Sequence, residues 1–519
     1  MSTTATVAPS ANGGRKSMIE RIGKKIPDPV IIFIWLFGLT LAASFLLGGH
    51  SFEVMGADGG QIVHSVKNML TTENVRWMFE NAILANWLSF GHGVLGIILI
   101  VMLGVGVAED SGLLSTLIKK AGLKVNDKYL PALLVFIGIM SSVATDAGYL
   151  VLIPLAGLLY AGLGKNPLIG MAAAFAGVSA GFSANLLPAT PVDVVVGVNA
   201  QIFAESQGVP FTNAAGEALT PATMHYFFIL ASTFILAIVG AWVTHKFVTP
   251  KLEKMDYQIP EDLDITSFEV TEAENKGLKA AFFGLLAAIA IMVGLATGPL
   301  AEYTNEAGKV VNPFLNNIIL MITMTFLIVG ICYGKSTGKF KGMQDVVSAM
   351  VKQMNTVGYV LVLTFFCYNF LALLGFTGLG TYITYLGASF LQFLGLDNFP
   401  ILLIIGFIIT TAVINLFVGG LTAKWMLLGP IFVPMLYQAN PAMTPDLVAA
   451  AFRVADSSTN IVTPMMTYAG VILAFMRKYK PDLTVGDMIG IMMPYSIAFI
   501  TIWTAALIGF FALNIPLGF

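Results

Sequence analysis

A chain of 519 residues in which 57% are hydrophobic and only 11% charged has too little polar surface to cover a water-soluble globule, so it belongs in a bilayer. A net charge of −2 excludes the basic surface that nucleic-acid binding requires. Cys332 and Cys367 lie in or beside apolar runs and read as small packing residues instead of a disulfide or metal pair, and the five histidines are scattered without metal-ligand spacing.

Residues 1–29 are rich in Ser, Thr and Ala and then basic, with Arg15, Lys16, Arg21, Lys24 and Lys25, which reads as a cytoplasmic tail. The first apolar run, Val30 to Gly49, is longer than a signal-peptide core and is a retained span. The first membrane half, 30–248, continues with a crossing near 91–108, an interfacial stretch at 111–124, a hairpin near 130–163, a broken crossing at 168–200 and a crossing at 223–246. The charged stretch 249–276 is a solvated cytoplasmic linker. The second half, 277–519, has crossings near 277–297, 314–333 and 353–375, an interfacial stretch at 378–396, a hairpin near 399–437, a broken crossing at 445–475 and a last crossing at 486–513. Lys335 sits in a GKST that resembles a phosphate loop, but the required first glycine falls on Val329 and the lysine follows a span, so no ATPase motor is encoded and transport must run on a gradient. The fold class is an all-α polytopic membrane protein with about nine transmembrane helices and two opposing re-entrant hairpins.

The two halves repeat one pattern. Residues Ser141 to Pro154 (SSVATDAGYLVLIP) and Phe182 to Asp193 (FSANLLPATPVD) correspond to Asn415 to Pro430 (NLFVGGLTAKWMLLGP) and Ser457 to Pro464 (SSTNIVTP). Setting Pro154 on Pro430 puts Tyr149 opposite Trp425, and Asn185 falls within one residue of Asn460. Lys and Arg gather at 119–128, at Lys165, at 246–254, at 335–341 and at 477–480, whereas 201–222 and 438–446 contain neither. The positive-inside rule then makes the N-terminus cytoplasmic and the C-terminus external, and the hairpins are entered from opposite sides. An inverted-topology repeat with broken helices is the architecture of alternating access around a midplane site.

Asp146, Asp193, Lys424, Arg453 and Asp456 are ionisable residues placed where hydrocarbon is expected. Each costs roughly 2.5–3.5 kcal/mol at a lipid-exposed helix centre, so each must face protein or a water-filled cavity. Arg453 and Asp456, three apart, can pair along one helix face. Asp193 has no cationic neighbour in sequence, which leaves open a proton-carrying role or a carboxylate satisfied by nearby amides. Unwinding at Ser183 to Leu186 and Ser457 to Asn460 would free carbonyls and expose half-helix ends. Asn415 and Gly419 at the second hairpin tip, with Asp456 and Asn460, form an all-oxygen set suited to Na⁺ or to a protonatable Asp, although Asn415 also suits a plain turn. Trp425 offers an aromatic face for a substrate or for core packing, and Thr422 a hydroxyl for a carboxylate or a helix cap.

The runs Thr422 to Met435 (TAKWMLLGPIFVPM), Phe452 to Pro464 (FRVADSSTNIVTP), Gly181 to Gly197 (GFSANLLPATPVDVVVG) and Ile19 to Phe33 (IERIGKKIPDPVIIF) resemble the AbgT family of p-aminobenzoyl-glutamate transporters, and the likeness covers nearly the whole chain. The resemblance implies a homodimer in a bacterial inner membrane whose members import p-aminobenzoyl-glutamate or export sulfonamides on a proton or sodium gradient. It implies substrate contacts at Asp193, Thr422, Trp425, Pro445, Arg453, Asp456 and Pro464, and Na⁺ ligands at Asn415, Gly419, Asp456 and Asn460, with no other cofactor. Several relatives carry Ser at the position of Thr422, so the added methyl narrows the pocket here.

The leading reading is thus a secondary transporter of p-aminobenzoyl-glutamate or related aromatic amino-carboxylates, not an enzyme, with the lipid bilayer and a small molecule as its partners. A sodium/dicarboxylate symporter is the alternative within transport, a passive channel another, and an intramembrane hydrolase using Asp146 or Asp193 the alternative outside it. The loop charges predict that a cysteine at Ala442 is labelled from outside by an impermeant thiol reagent and one at Asn166 is not; the reverse labelling would end the inverted-repeat reading.

Overall fold

The computed structural model describes residues 27–519 except 56–60, 91–93, 123–127, 144–147, 260–269, 305–309, 417–419, 464–465 and 467. Its first half runs through α1 (Pro29–Leu46), a β1–β2 hairpin (Ser51–Met55 with Gln61–Ser65), α2 (Thr72–Asn81), α3 (Val94–Asp110), α4 (Leu113–Gly122), α5 (Leu130–Met140), α6 (Ile153–Gly162), α7 (Pro167–Phe175), α8 (Pro191–Glu205) and α9 (Tyr226–Val243). The second half has α10 (Glu272–Thr297), a small β3–β4 pair (Tyr303–Thr304 with Val310–Val311), α11 (Ile318–Ser336), α12 (Met343–Thr356), α13 (Gly358–Phe376), α14 (Leu379–Phe393), α15 (Pro400–Asn415), α16 (Leu421–Ala439), α17 (Pro445–Asn460), α18 (Ala469–Arg477) and α19 (Val485–Ala512).

Among the described residues, six helices are long and apolar enough to cross a membrane: α1, α9 extended to Leu252, α10, α11, α13 and α19. The remaining apolar helices, α5, the Gly148–Gly162 segment ending in α6, Pro167–Ala180 and α15, are shorter. They are the hairpin arms and broken-helix halves of the sequence reading, and they divide by burial. Every residue of Pro167–Ala180 and all of α17 from Pro445 to Thr459 is buried, whereas α10 turns Phe282, Phe283 and Ile289 outward. A helix apolar on its outer face and packed on its inner one belongs at the lipid boundary; a helix buried all round belongs to the core.

That core is built by close approach. α17 packs against α8, α15, α16, α19 and the π turn Ala176–Ala180 that follows α7. A Cβ at Gly177 would strike the backbone of Val135, and one at Gly197 the carbonyl of Pro221, so glycine is what lets the broken helix lie against α5 and the loop before α9. Pro430 and Pro434 sit inside α16 and Pro494 inside α19, interruptions that membrane helices tolerate when neighbours satisfy the freed carbonyls.

Several sequence expectations change. Ser457 to Asn460 remain helical, and the helix ends after them, with Ile461, Val462 and Thr463 outside it. Pro464 restricts the residue before it to extended backbone and so ends the helix earlier than 464 but later than the polar run. Within the stretch 249–276, helix continues to Leu252 at one end, and at the other α10 begins at Glu272, where Thr271 and Glu274 form a capping box. The two β-hairpins and α12 were not expected; α12 is a separate amphipathic helix burying Val346 and Ala349 against Val107 and Phe340. Lys335 lies in the last turn of α11, so GKST is helix and not a phosphate loop. Asn166 caps α7 and is 3% exposed, which makes neighbouring exposed Lys165 the better inside position for thiol labelling.

Candidate functional site

Asp193 is held before any partner from the other half arrives. Thr190 and Asp193 form a capping box at the start of α8: the Thr190 N–H and hydroxyl both donate to Asp193 Oδ2 at 2.8 Å, and Pro191 occupies the first helical position. This fixes the carboxylate rotamer and leaves Oδ1 pointing away from α8's own cap. Arg453 NH1 on α17 meets Oδ1 at 2.7 Å. The second arm, NH2, donates to the Ser183 carbonyl at 2.7 Å, a carbonyl released by the break between α7 and α8. Arg453 therefore pairs with Asp193 and not with Asp456. The three-residue spacing on α17 is overruled because the break presents both a carboxylate and a free carbonyl in the geometry of the guanidinium fork.

His225, just ahead of α9, completes this cluster. Its Nε2 lies 2.8 Å from the Asp446 carbonyl and its Nδ1 lies 3.1 Å from Arg453 NH1. A carbonyl only accepts and a guanidinium only donates, so these partners specify a neutral imidazole protonated on Nε2.

The second cluster surrounds Lys424, in the first turn of α16. Its ammonium forms an ion pair with Asp456 Oδ1 and a hydrogen bond to Asn415 Oδ1, and lies 3.4 Å from Asn460 Oδ1. Asn415 is locked in turn: its Nδ2 donates to the Asp456 carbonyl at 2.7 Å, to Thr459 Oγ1 at 2.7 Å and to Asn460 Oδ1 at 3.1 Å. The oxygens of Asn415, Asp456 and Asn460 thus converge as a set fit for a monovalent cation, and in this structure the Lys424 ammonium is the cation they hold.

Both clusters are sealed. Asp193 is 3% exposed, Arg453 and Lys424 1%, and Asp456 and Trp425 0%. Trp425 donates its indole N–H to the Val196 carbonyl at 3.0 Å and packs against Phe452 and Phe203, with ring centroids 4.7 and 5.7 Å away, so here it fills core. Thr422 is half-buried beside it in sequence, and Pro445 starts α17 at the first helical position. Gly419, Pro464 and Asp146 lie outside the described residues. Asn185 donates to Ser142 Oγ at 3.0 Å, and Asn415 donates to Asn460 Oδ1 at 3.1 Å. Opposite Trp425 in the repeat, Tyr149 stacks on Tyr468 with centroids 4.4 Å apart.

Buried polar atoms without a hydrogen-bond partner among the described residues include Arg453 Nε and the hydroxyls of Ser183, Ser457 and Ser458. Native interiors seldom leave such groups unmatched, so they mark a place for a polar ligand or water. Toward the face formed by 213–217, 442–447 and 510–517 there is a cavity of about 370 Å³, lined by Asp446, Phe510 and Leu517 among others. Its floor residue Asp446 is the one whose carbonyl binds His225, which in turn contacts Arg453.

With this geometry fixed, comparison with known proteins is decisive. Residues 16–519 match the model described as the "AbgT putative transporter family". The chain belongs to the AbgT transporter family. It is 30% identical to the p-aminobenzoyl-glutamate transport protein of Escherichia coli (strain K12) over an alignment of 530 residues, covering 100% of this chain and 98% of that one. The YdaH transporter of Alcanivorax borkumensis, reported to have an unusual topology, superposes with a TM-score of 0.84 at 32% identity over 95% of this chain and all (100%) of that one. The Neisseria gonorrhoeae protein MtrF, of a class of antimetabolite efflux pumps, superposes with a TM-score of 0.82 at 36% identity over 94% of this chain and 96% of its own. These are membrane transporters and not enzymes, which removes the hydrolase reading.

Two residues of this AbgT-family site escape the sequence reading, Thr190 and His225. Thr190 has a legible signal, a Thr three residues before Asp at a helix start. Lys424 is among the ionisable residues that the sequence places in hydrocarbon, but its place beside the oxygen set is not read from it. His225 had no local signal, since its partners Asp446 and Arg453 lie 221 and 228 positions away. The Arg453→Lys variant should lose about 1–3 kcal/mol of stability, because one ammonium cannot serve Asp193, Ser183 and His225 in the directions the fork does. Unfolding in detergent micelles measures this, and an unchanged midpoint would contradict the three-partner geometry.

Proposed function

We propose that this AbgT-family member carries p-aminobenzoyl-glutamate, or related aromatic amino-carboxylates and sulfonamides, across a bacterial inner membrane by alternating access coupled to a Na⁺ or H⁺ gradient. In this reading about nine helices cross the bilayer, α5–α6 and α15–α16 are re-entrant hairpins entered from opposite sides, the N-terminus is cytoplasmic and the C-terminus external, and two copies form a homodimer. The observation that carries it is the buried Arg453, which pairs with Asp193 and holds the Ser183 carbonyl freed by the first helix interruption, and whose Nε has no partner among the described residues. The name of the E. coli relative supports p-aminobenzoyl-glutamate as the substrate, and the description of MtrF as one of a class of antimetabolite efflux pumps supports export. The family match does not favour the sodium/dicarboxylate alternative.

The chemistry follows from charge pairing. A substrate carboxylate that takes the Arg453 fork away from Asp193 leaves Asp193 with an uncompensated buried charge, which a proton removes. Binding of an anion and uptake of a proton are then linked at one residue. The Asn415, Asp456 and Asn460 oxygens are the corresponding place for Na⁺, which when bound supplies the positive charge that Asp456 requires. In a proton-coupled cycle substrate and gradient therefore meet at Asp193, and in a sodium-coupled one the gradient acts at Asp456.

Purified protein in proteoliposomes, given separately imposed Na⁺ and H⁺ gradients, should accumulate labelled p-aminobenzoyl-glutamate uphill under at least one of them. Arg453→Lys should weaken its binding about tenfold or more, through loss of the bidentate contact. Equilibration that ignores both gradients would indicate a passive pathway, and no uptake of this compound or of a sulfonamide would remove the substrate class.

A further inference from the structure

The residues that suit Na⁺ are already holding a cation that belongs to the chain. Each of the three donor oxygens in the described part of that set, on Asn415, Asp456 and Asn460, faces the Lys424 ammonium. The arrangement is built and not incidental: Lys424 is 1% exposed, and Asn415 is fixed by its own donations to the Asp456 carbonyl, Thr459 and Asn460, so its oxygen can only point inward. A free monovalent cation and the ammonium would need the same carboxylate oxygen of Asp456, and no other carboxylate ion pair is formed by either Lys424 or Asp456 among the described residues. Two positive charges on one buried carboxylate repel each other at contact distance, so each weakens the other's hold on the site.

Lys424 is on a different element from the oxygens it meets: it lies in the first turn of α16, which starts directly after Gly420 with its φ of 78°, whereas Asn415 is on α15 and Asp456 and Asn460 are on α17. A rotation of the start of α16 about Gly420 would withdraw the ammonium and leave those oxygens in place. We propose that Lys424 is a tethered competitor for the sodium site, so that Na⁺ enters as the ammonium leaves and hairpin position and cation occupancy become one equilibrium. The inference rests on the sodium reading above and assigns a role to Lys424 that the oxygen set alone does not contain. By linkage, removing the competitor must raise the affinity of the site for Na⁺.

The test is thermal unfolding of the purified full chain in micelles, titrated with NaCl against KCl and choline chloride at fixed ionic strength. Lys424→Met keeps the aliphatic stem and removes the charge. It should be less stable than the wild type in choline, regain stability specifically with Na⁺, and reach half-saturation at a Na⁺ concentration about tenfold or more below the wild type. A wild-type response to Na⁺ that is equal or weaker in Lys424→Met would overturn the competitor role and leave the sodium reading standing. Silence of both proteins toward Na⁺, with transport driven by protons alone, would remove the sodium reading and this inference with it. Because the single variant buries a lone carboxylate, Lys424→Met/Asp456→Asn is made alongside. If that neutral pair folds and the single variant does not fold even in NaCl, Na⁺ cannot stand in for the ammonium and the proposal is wrong.

Discussion

A charge in hydrocarbon must find its opposite, and in this molecule the opposites are on different elements. Arg453 on α17 takes Asp193 from the first half, and Asp456 one turn further along α17 takes Lys424 from the second hairpin. Because α17 carries one member of each pair, it cannot shift without straining both. The rest of the core serves this geometry: the capping box at Thr190 aims Asp193, the glycine contacts bring the first broken helix close, and the sealed packing around Trp425 keeps water out.

Buried pairs are weak contributors to net stability but are costly to break from one side, with a penalty of about 3–5 kcal/mol when a partner is removed. That asymmetry suits a transporter. The resting protein is electrically neutral at its centre, and any ligand that captures one member of a pair obliges the protein to neutralise the other. An anion on Arg453 and a cation at Asp456, as proposed, would act on opposite ends of one short stretch of α17, so coupling would need no long-range wire, only the two-state choice of partner at each end.

Much of this was legible in the sequence, for physical reasons that mark the limit as well. Hydropathy located the six helices that are long and apolar enough to cross a membrane, because lipid demands such helices, and the Ser-x-Asn and Pro signals located the first interruption and came within a few residues of the second, because proline and polar side chains disturb the backbone locally. The pairing itself was not legible. Spacing along α17 favoured Arg453 with Asp456, while the actual partners of both come from elsewhere in the chain, and sequence distance says nothing of that. The interruption after α17 comes a few residues later than the sequence suggests because Asn415 bonds Thr459 and Asn460, and Thr459 bonds back to Ala455, so the end of the polar run is held inside the helix. His225, lacking a motif, could be found only by following Arg453 to its neighbours.

The cross-half pairing is the central claim, and a double-mutant cycle on Asp193→Ala and Arg453→Ala measures it most directly by unfolding in mixed micelles. Each single variant should lose about 3–5 kcal/mol, and the double variant should lose less than the sum, with a coupling of about 1.5 kcal/mol or more. Additive losses, with coupling within about 0.5 kcal/mol of zero, would mean that the two residues do not pair and would contradict the account.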